Sequence, residues 1–274
     1  MSTATETWSN GVSKLYDEMA ELIEVQGSSI HVGYWLDEND RTPLLEAINR
    51  CTDVVVGKLE LRPGQRLLDI GCGVAMPAIR LAQRTDADIT GVTNSQWQVN
   101  AGTQLVGFAG LRGQVRVELG DAAALSYPDD SFDAVLMFQS LQHAQDRKQW
   151  LREMVRVVKP GGRAVLTDFT AEAPLSSQEI EILHGGSMIP PQPVPSILEE
   201  VRSCGLTIDE AVSCGDRIRP SYPAYFERLT RMRPALEAAI GKDKVDGQEQ
   251  AMRHLLPIYH DKIGYVIITG HKPE

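Results

Sequence analysis

Long hydrophobic runs are missing: no stretch of about 18 apolar residues occurs in this chain of 274 residues, so a membrane-spanning helix is not expected. Basic residues are in deficit, with 27 Lys and Arg against 37 Asp and Glu and a formal net charge of −10. That balance argues against a nucleic-acid partner, because a phosphate backbone demands a basic face. Cysteine is scarce. Cys51, Cys72, Cys204 and Cys214 include no C-x-x-C pair, so neither a zinc site nor a disulfide frame is expected, and reduced thiols point to a cytoplasmic protein. An export signal is also absent, since Glu6, Asp17 and Glu18 interrupt what would need to be a basic and then apolar segment. Repeats and low-complexity tracts are lacking. Metal ligands are few as well: the H-x-x-D run His143-Ala144-Gln145-Asp146 has no neighbouring His or acidic cluster, and no metal is expected.

What is present alternates. Apolar and acidic residues at helical spacing predict a helix near 12–25, followed by an aromatic-rich loop, Ile30-His31-Val32-Gly33-Tyr34-Trp35, and a second helix near 43–59. Strands are expected near 66–70, 88–92, 115–118, 133–138 and 163–169, with helices near 77–84, 96–110, 147–158 and 177–184. Strands and helices in turn predict a mostly parallel sheet covered on both faces, with ligands bound outside the carboxyl ends of the strands. The Pro-rich stretch Pro190-Pro191-Gln192-Pro193-Val194-Pro195 breaks this rhythm, as a lid over a pocket or as a surface connector. After it come a helix near 195–204, a strand near 206–213, a helical region near 222–255 and a buried strand over 264–270.

The most telling stretch is Arg66-Leu67-Leu68-Asp69-Ile70-Gly71-Cys72-Gly73, a short apolar run that meets an acid and two alternating glycines before a helix begins at about Pro77. Such a turn brings backbone N–H groups close to a ligand. The dinucleotide spacing G-x-G-x-x-G is not met, because position 76 is Met, and no pyrophosphate grip is evident. An acid before the first glycine suits a ligand with a cation at the turn. A nucleoside with a charged amino-acid tail, S-adenosylmethionine, answers that description.

Several pieces in this order carry a resemblance: Tyr16-Asp17-Glu18, His31-Val32-Gly33-Tyr34-Trp35, the Asp69 turn, Gly120-Asp121-Ala122, Ser131-Phe132-Asp133-Ala134 and Val158-Lys159-Pro160-Gly161-Gly162. From about residue 10 to the end the chain resembles the class I S-adenosylmethionine-dependent methyltransferases, and more narrowly those of natural-product pathways that act on sugar or polyketide hydroxyls. The resemblance implies a Rossmann-like, seven-stranded α/β sheet with an N-terminal helical cover over 1–60. It also implies a cofactor-binding core over 61–172, an inserted lid or connector over 173–205, and strands and cap helices over 206–274 that complete the sheet.

The same resemblance assigns roles. Asp69, Gly71 and Gly73 would face the methionine part of the cofactor. Thr93, Asn94 and Gln98 stand where many relatives hold the ribose with an acid, and some of them would instead cap the following helix. The Asp121 carboxylate and the Ala122 N–H would read the adenine, although Asp121 also suits a helix cap. Tyr16 and Tyr34 would pack over the cofactor or belong to the core. Gln139 joins this set from the stretch Phe138-Gln139-Ser140-Leu141-Gln142-His143, where relatives line the methyl-transfer site. Relatives that methylate sugars often show two adjacent histidines there; this chain has Gln142-His143, so the first is replaced by a group that cannot take a proton. His143 is the candidate base, or a backbone contact and helix cap. Asp168 would orient a base or hold the substrate, and His31, His184, Tyr259 and His260 are rivals for the base. Ala75 replaces a glycine common in relatives.

The leading expectation is an O-methyltransferase acting on a largely apolar small molecule, with S-adenosylhomocysteine as by-product. Carbon or nitrogen methylation, a cyclase that binds S-adenosylmethionine without transferring the methyl, and a binding module with no turnover are the alternatives. A homodimer is compatible with the sequence.

Overall fold

The computed structural model describes Gly11, Lys14, residues 31–185 and residues 188–274. The helix expected near 12–25, Tyr16 included, lies outside the described residues except for Lys14. From α1 (Leu44–Gly57) the chain runs through β1 (Arg66–Ile70), α2 (Met76–Ala82), β2 (Asp88–Thr93), α3 (Gln96–Phe108), β3 (Val115–Leu119) and β4 (Phe132–Met137). A 3₁₀ turn (Leu141–His143), α4 (Arg147–Val157), β5 (Val158–Ala171), α5 (Ser177–Gly185) and α6 (Val194–Ser203) follow. The chain then passes through β6 (Thr207–Ser213), the short α7 (Gly215–Ile218), α8 (Ser221–Ile240), α9 (Lys242–Lys262) and β7 (Ile263–His271).

Seven strands form one sheet in the order β3-β2-β1-β4-β5-β7-β6. The first five pair in parallel, and β7 inserts antiparallel between β5 and β6. Strands buried on both faces read as continuous apolar runs. In β1, Leu67 turns into the core shared with α1, α2 and α3. Its neighbours Leu68 and Ile70 turn into the core shared with α4 and α6. Helix starts obey local chemistry: Ser95 accepts the Gln98 N–H at 3.1 Å, and Asp146 accepts the Gln149 N–H at 3.0 Å, each satisfying an orphan donor of a first turn.

Two expectations change in detail. The helical region near 222–255 is two helices, split at Gly241, whose φ of 86° no helix interior accommodates. The Pro-rich stretch, open between lid and connector, gains backbone ties. It is a strap tied across the end of β5, where Ala171 donates to the Gln192 carbonyl at 3.0 Å and Ile189 donates to the Gln142 carbonyl at 2.9 Å. Among the described residues, no helix is long and apolar enough to cross a membrane.

The second core depends on α4 lying flat against β4 and β5. Leu151 is fully buried there. Leu151→Ala is expected to lower unfolding stability by about 2–5 kcal/mol, read from urea denaturation at constant m-value.

Candidate active site

Strand order reverses between β1 and β4, and this is where an open α/β sheet leaves a crevice at its carboxyl edge. The turns after β1 and β4 meet across it. Ser140 donates its hydroxyl to the Ile70 carbonyl at 2.7 Å. Gly71 has φ 80°, and a Cβ there would come 2.4 Å from the Cβ of Ser140. Gly73 (φ 55°) faces the opposite condition: a Cβ there would meet only the Gln98 Nε2, at 4.0 Å, so space stands over the turn. Ala75 holds φ 62°, the left-handed region that favours glycine, just before α2 begins.

Asp69 lies beneath this turn, 1% exposed, and its Oδ2 has no hydrogen-bond partner. Burial pushes its carboxyl up to about 7. An unpaired buried carboxylate under an open glycine turn fits a ligand that brings a cation. Beyond β2, Thr93 hydrogen-bonds the Gln98 Oε1, which turns the Gln98 Nε2 outward on the side of Gly73. Asn94 follows in the same turn, half-buried. At the end of β3, Asp121 is exposed and one of its oxygens accepts the Ala123 N–H at 2.9 Å; Ala122 is buried beside it. Asp121 therefore braces its own turn. Thr93, Asn94, Gln98, Asp121 and Ala122 thus follow Asp69, Gly71 and Gly73 along one edge of the sheet.

The aromatic loop crosses the crevice as a second strap. Val32 donates to the Gln139 Oε1 at 3.2 Å, Gly33 to the Ser221 hydroxyl at 2.9 Å, and Tyr34 to the Ala47 carbonyl at 2.9 Å. Tyr34 packs half-buried against the first core. His31 lies over Phe138 with ring centroids 4.5 Å apart, and burial lowers its imidazole to about 4, leaving it neutral at neutral pH.

Gln139 sits at the crossing with φ 54°, a strained conformation for a residue with a side chain, and its N–H is held by the Thr167 hydroxyl at 2.9 Å. Gln142 donates to the Gln139 carbonyl at 2.6 Å, and the half-exposed His143 places its Nε2 3.5 Å from the Gln142 amide nitrogen. Asp168 points to the other face of β5. It is 2% exposed and pairs with Arg147 at 2.7 Å, and Arg147 also pairs with Glu200 at 2.7 Å. Burial pushes the Asp168 carboxyl above its ordinary range against the pull of Arg147. Of the rival bases, His184 is exposed and His260 is exposed beside Asp261 at 2.6 Å.

An aromatic wall flanks this turn. Phe169 meets Tyr265 edge-on at 5.4 Å and Tyr259 at 5.7 Å. Tyr222 stacks on Tyr259 at 3.6 Å, and Tyr259 donates to the Met188 sulfur at 2.9 Å. Sequence reading missed Ser140, Thr167, Arg147 and Phe169. Each acts through a partner more than 20 residues away, Phe169 through its register against Tyr265, and no local motif announces such pairings.

Comparison with known proteins agrees with this geometry. The Methyltransferase domain family matches residues 68–166. The 27-O-demethylrifamycin SV methyltransferase of Amycolatopsis mediterranei is 33% identical, over 98% of this chain and 100% of that protein. Methyltransferase GfsG of Streptomyces halstedii is 32% identical, over 99% and 97%. Among solved structures the 4+2 cyclase SpnF superposes with a TM-score of 0.85 at 33% identity, covering 97% of both chains. From the open glycine turn over Asp69 to this kinship along the full length, the chain belongs to the class I S-adenosylmethionine-dependent methyltransferases.

Proposed function

We propose that this enzyme methylates a hydroxyl on a sizeable, largely apolar metabolite of polyketide type. The observation that carries the reading is the juxtaposition of a polar turn, Gln139 to His143, with a wall of Phe169, Tyr222, Tyr259 and Tyr265 under the Met188 strap. Apolar surface supplies affinity, and a few polar atoms fix orientation. The Amycolatopsis relative is, by its name, a methyltransferase of 27-O-demethylrifamycin SV.

When bound, S-adenosylmethionine supplies a methyl on a sulfonium. Asp69, Gly71 and Gly73 would hold its amino-acid tail, Thr93, Asn94 and Gln98 its ribose, and Asp121 with the Ala122 N–H its adenine. Tyr34 would border it from the aromatic strap and Gln139 from the turn after β4. In this reading His143 takes the proton of the acceptor hydroxyl, a role that suits an imidazole near neutrality. Asp168 is a positioning residue. Its pair with Arg147, the first residue of α4, anchors the helix that follows the His143 turn. Alignment of the acceptor by the wall and the turn contributes several kcal/mol to lowering the barrier.

A second reading has its own support. Gln142 cannot take a proton, and a full-length neighbour in structure is a cyclase. The fold would then shape a cyclisation, with the cofactor kept as structure. One experiment separates the two: methyl-labelled S-adenosylmethionine, a polyketide-rich extract and mass spectrometry. Labelled product with equal S-adenosylhomocysteine is expected. Substrate consumed without label favours the cyclase.

Two further outcomes are expected. Asp69 is largely protonated in the free protein below about pH 7, and a cationic tail needs it ionised. Calorimetric affinity for S-adenosylmethionine should therefore rise close to tenfold per pH unit from pH 5 to 7, level off above 7, and lose this slope in Asp69→Asn. A pH-independent affinity places the cation elsewhere. His143→Ala should lower kcat about 10²–10⁴-fold and leave S-adenosylmethionine affinity within twofold; full activity removes His143 as the base.

A further inference from the structure

Two glutamines on the turn after β4 are wired in opposite senses. Gln139 spends its Oε1 on the Val32 N–H at 3.2 Å, and its Nε2 faces the Tyr265 hydroxyl. Gln142 spends its Nε2 on the Gln139 carbonyl at 2.6 Å, so its Oε1 is the free end, buried and without a partner. A backbone N–H is met only by an oxygen and a backbone carbonyl only by a donor, so neither amide can be flipped without losing its bond. Both residues are more than nine-tenths buried, at 8% and 7% exposed. The Ile189 N–H on the strap fixes the Gln142 main chain at 2.9 Å. A buried acceptor fixed from both sides and left unpaired is costly, and it marks a place where a ligand donor belongs.

We infer that Gln142 is the specificity contact for the acceptor, its Oε1 taking a hydrogen bond from the O–H of an uncharged alcohol. The inference rests on the methyl-transfer reading above and narrows it. A carboxylate or phosphate brings only acceptors to an acceptor and is repelled, and an alkene carbon brings no donor at all. Gln142 orients the hydroxyl, and His143, 3.5 Å from the Gln142 amide nitrogen, stands next to receive the proton. As the oxygen–carbon bond forms, the hydroxyl proton passes to the imidazole and the electron pair of the broken carbon–sulfur bond stays on sulfur. Gln142 thus differs in kind from the histidine of sugar-methylating relatives: it selects and aims the nucleophile and exchanges no proton.

The test loads the full-length protein with methyl-labelled S-adenosylmethionine and offers a polyketide-rich extract divided by anion exchange into neutral and anionic fractions. Label in neutral products is expected. Label confined to anionic products overturns the inference and leaves methyl transfer standing; no label in either fraction removes the methyl-transfer reading and the inference with it. On the neutral acceptor so identified, Gln142→Met should lower kcat/KM roughly tenfold to hundredfold, with calorimetric S-adenosylmethionine affinity changed by less than twofold. Unchanged kcat/KM in the folded variant means the oxygen holds only water, and a parallel loss of cofactor affinity means it faces the cofactor. Either result overturns the inference. If the variant fails to fold by thermal melting, the fraction that carries label decides alone.

Discussion

The close approach of two turns, one after β1 and one after β4, is the constraint from which the rest of the molecule follows. With β4 beside β1 and β2 on its other side, the sheet opens a crevice at its carboxyl edge. The crevice keeps its shape only because Gly71 has no Cβ to collide with Ser140 and because the Ser140 hydroxyl satisfies the Ile70 carbonyl. Beside that contact the space over Gly73 is open, and Asp69 lies buried beneath the turn with its Oδ2 unpartnered. The carboxylate then has a reason to recruit a cation, and the methyl donor of this family brings one. In the proposed cofactor site, the electrostatics would thus follow from one tight packing contact.

Opposite polarity on neighbouring turns divides the labour. The β1 turn offers an unpaired acid and suits a positive tail. The β4 turn carries no acid: Gln139 and Gln142 share it with Ser140 and His143, and the Gln142 Oε1 is buried without a partner. Charge farther along is partly offset within the fold, since Asp168 and Glu200 both pair with Arg147.

The parts of the fold written in contiguous residues were legible beforehand. The first turn, the parallel strands near 66–70, 88–92 and 115–118 and the final buried strand over 264–270 follow from apolar runs bounded by glycine or an acid. Other features depend on register between distant segments. The insertion of β7 between β5 and β6, the Arg147 clamp on Asp168 and the stacking of Tyr222 on Tyr259 join residues that no local pattern relates. Asp121 shows how a motif can hold two meanings at once: cap and ligand contact were both open, and one of its oxygens does brace the turn. The split of the 222–255 region at Gly241 was marked by the glycine, yet only its positive φ reveals a helix end there.

The central claim is that the cofactor lies along the carboxyl edge from β1 to β3, tail over Gly73 and adenine at Asp121. A crystal structure with S-adenosylhomocysteine tests it most directly. The account predicts the amino group within hydrogen-bond reach of the Asp69 side, the ribose against Thr93, Asn94 and Gln98, and the adenine amine at the unoccupied oxygen of Asp121. An adenine bound away from Asp121, or a tail that leaves Asp69 without a cation, would contradict it.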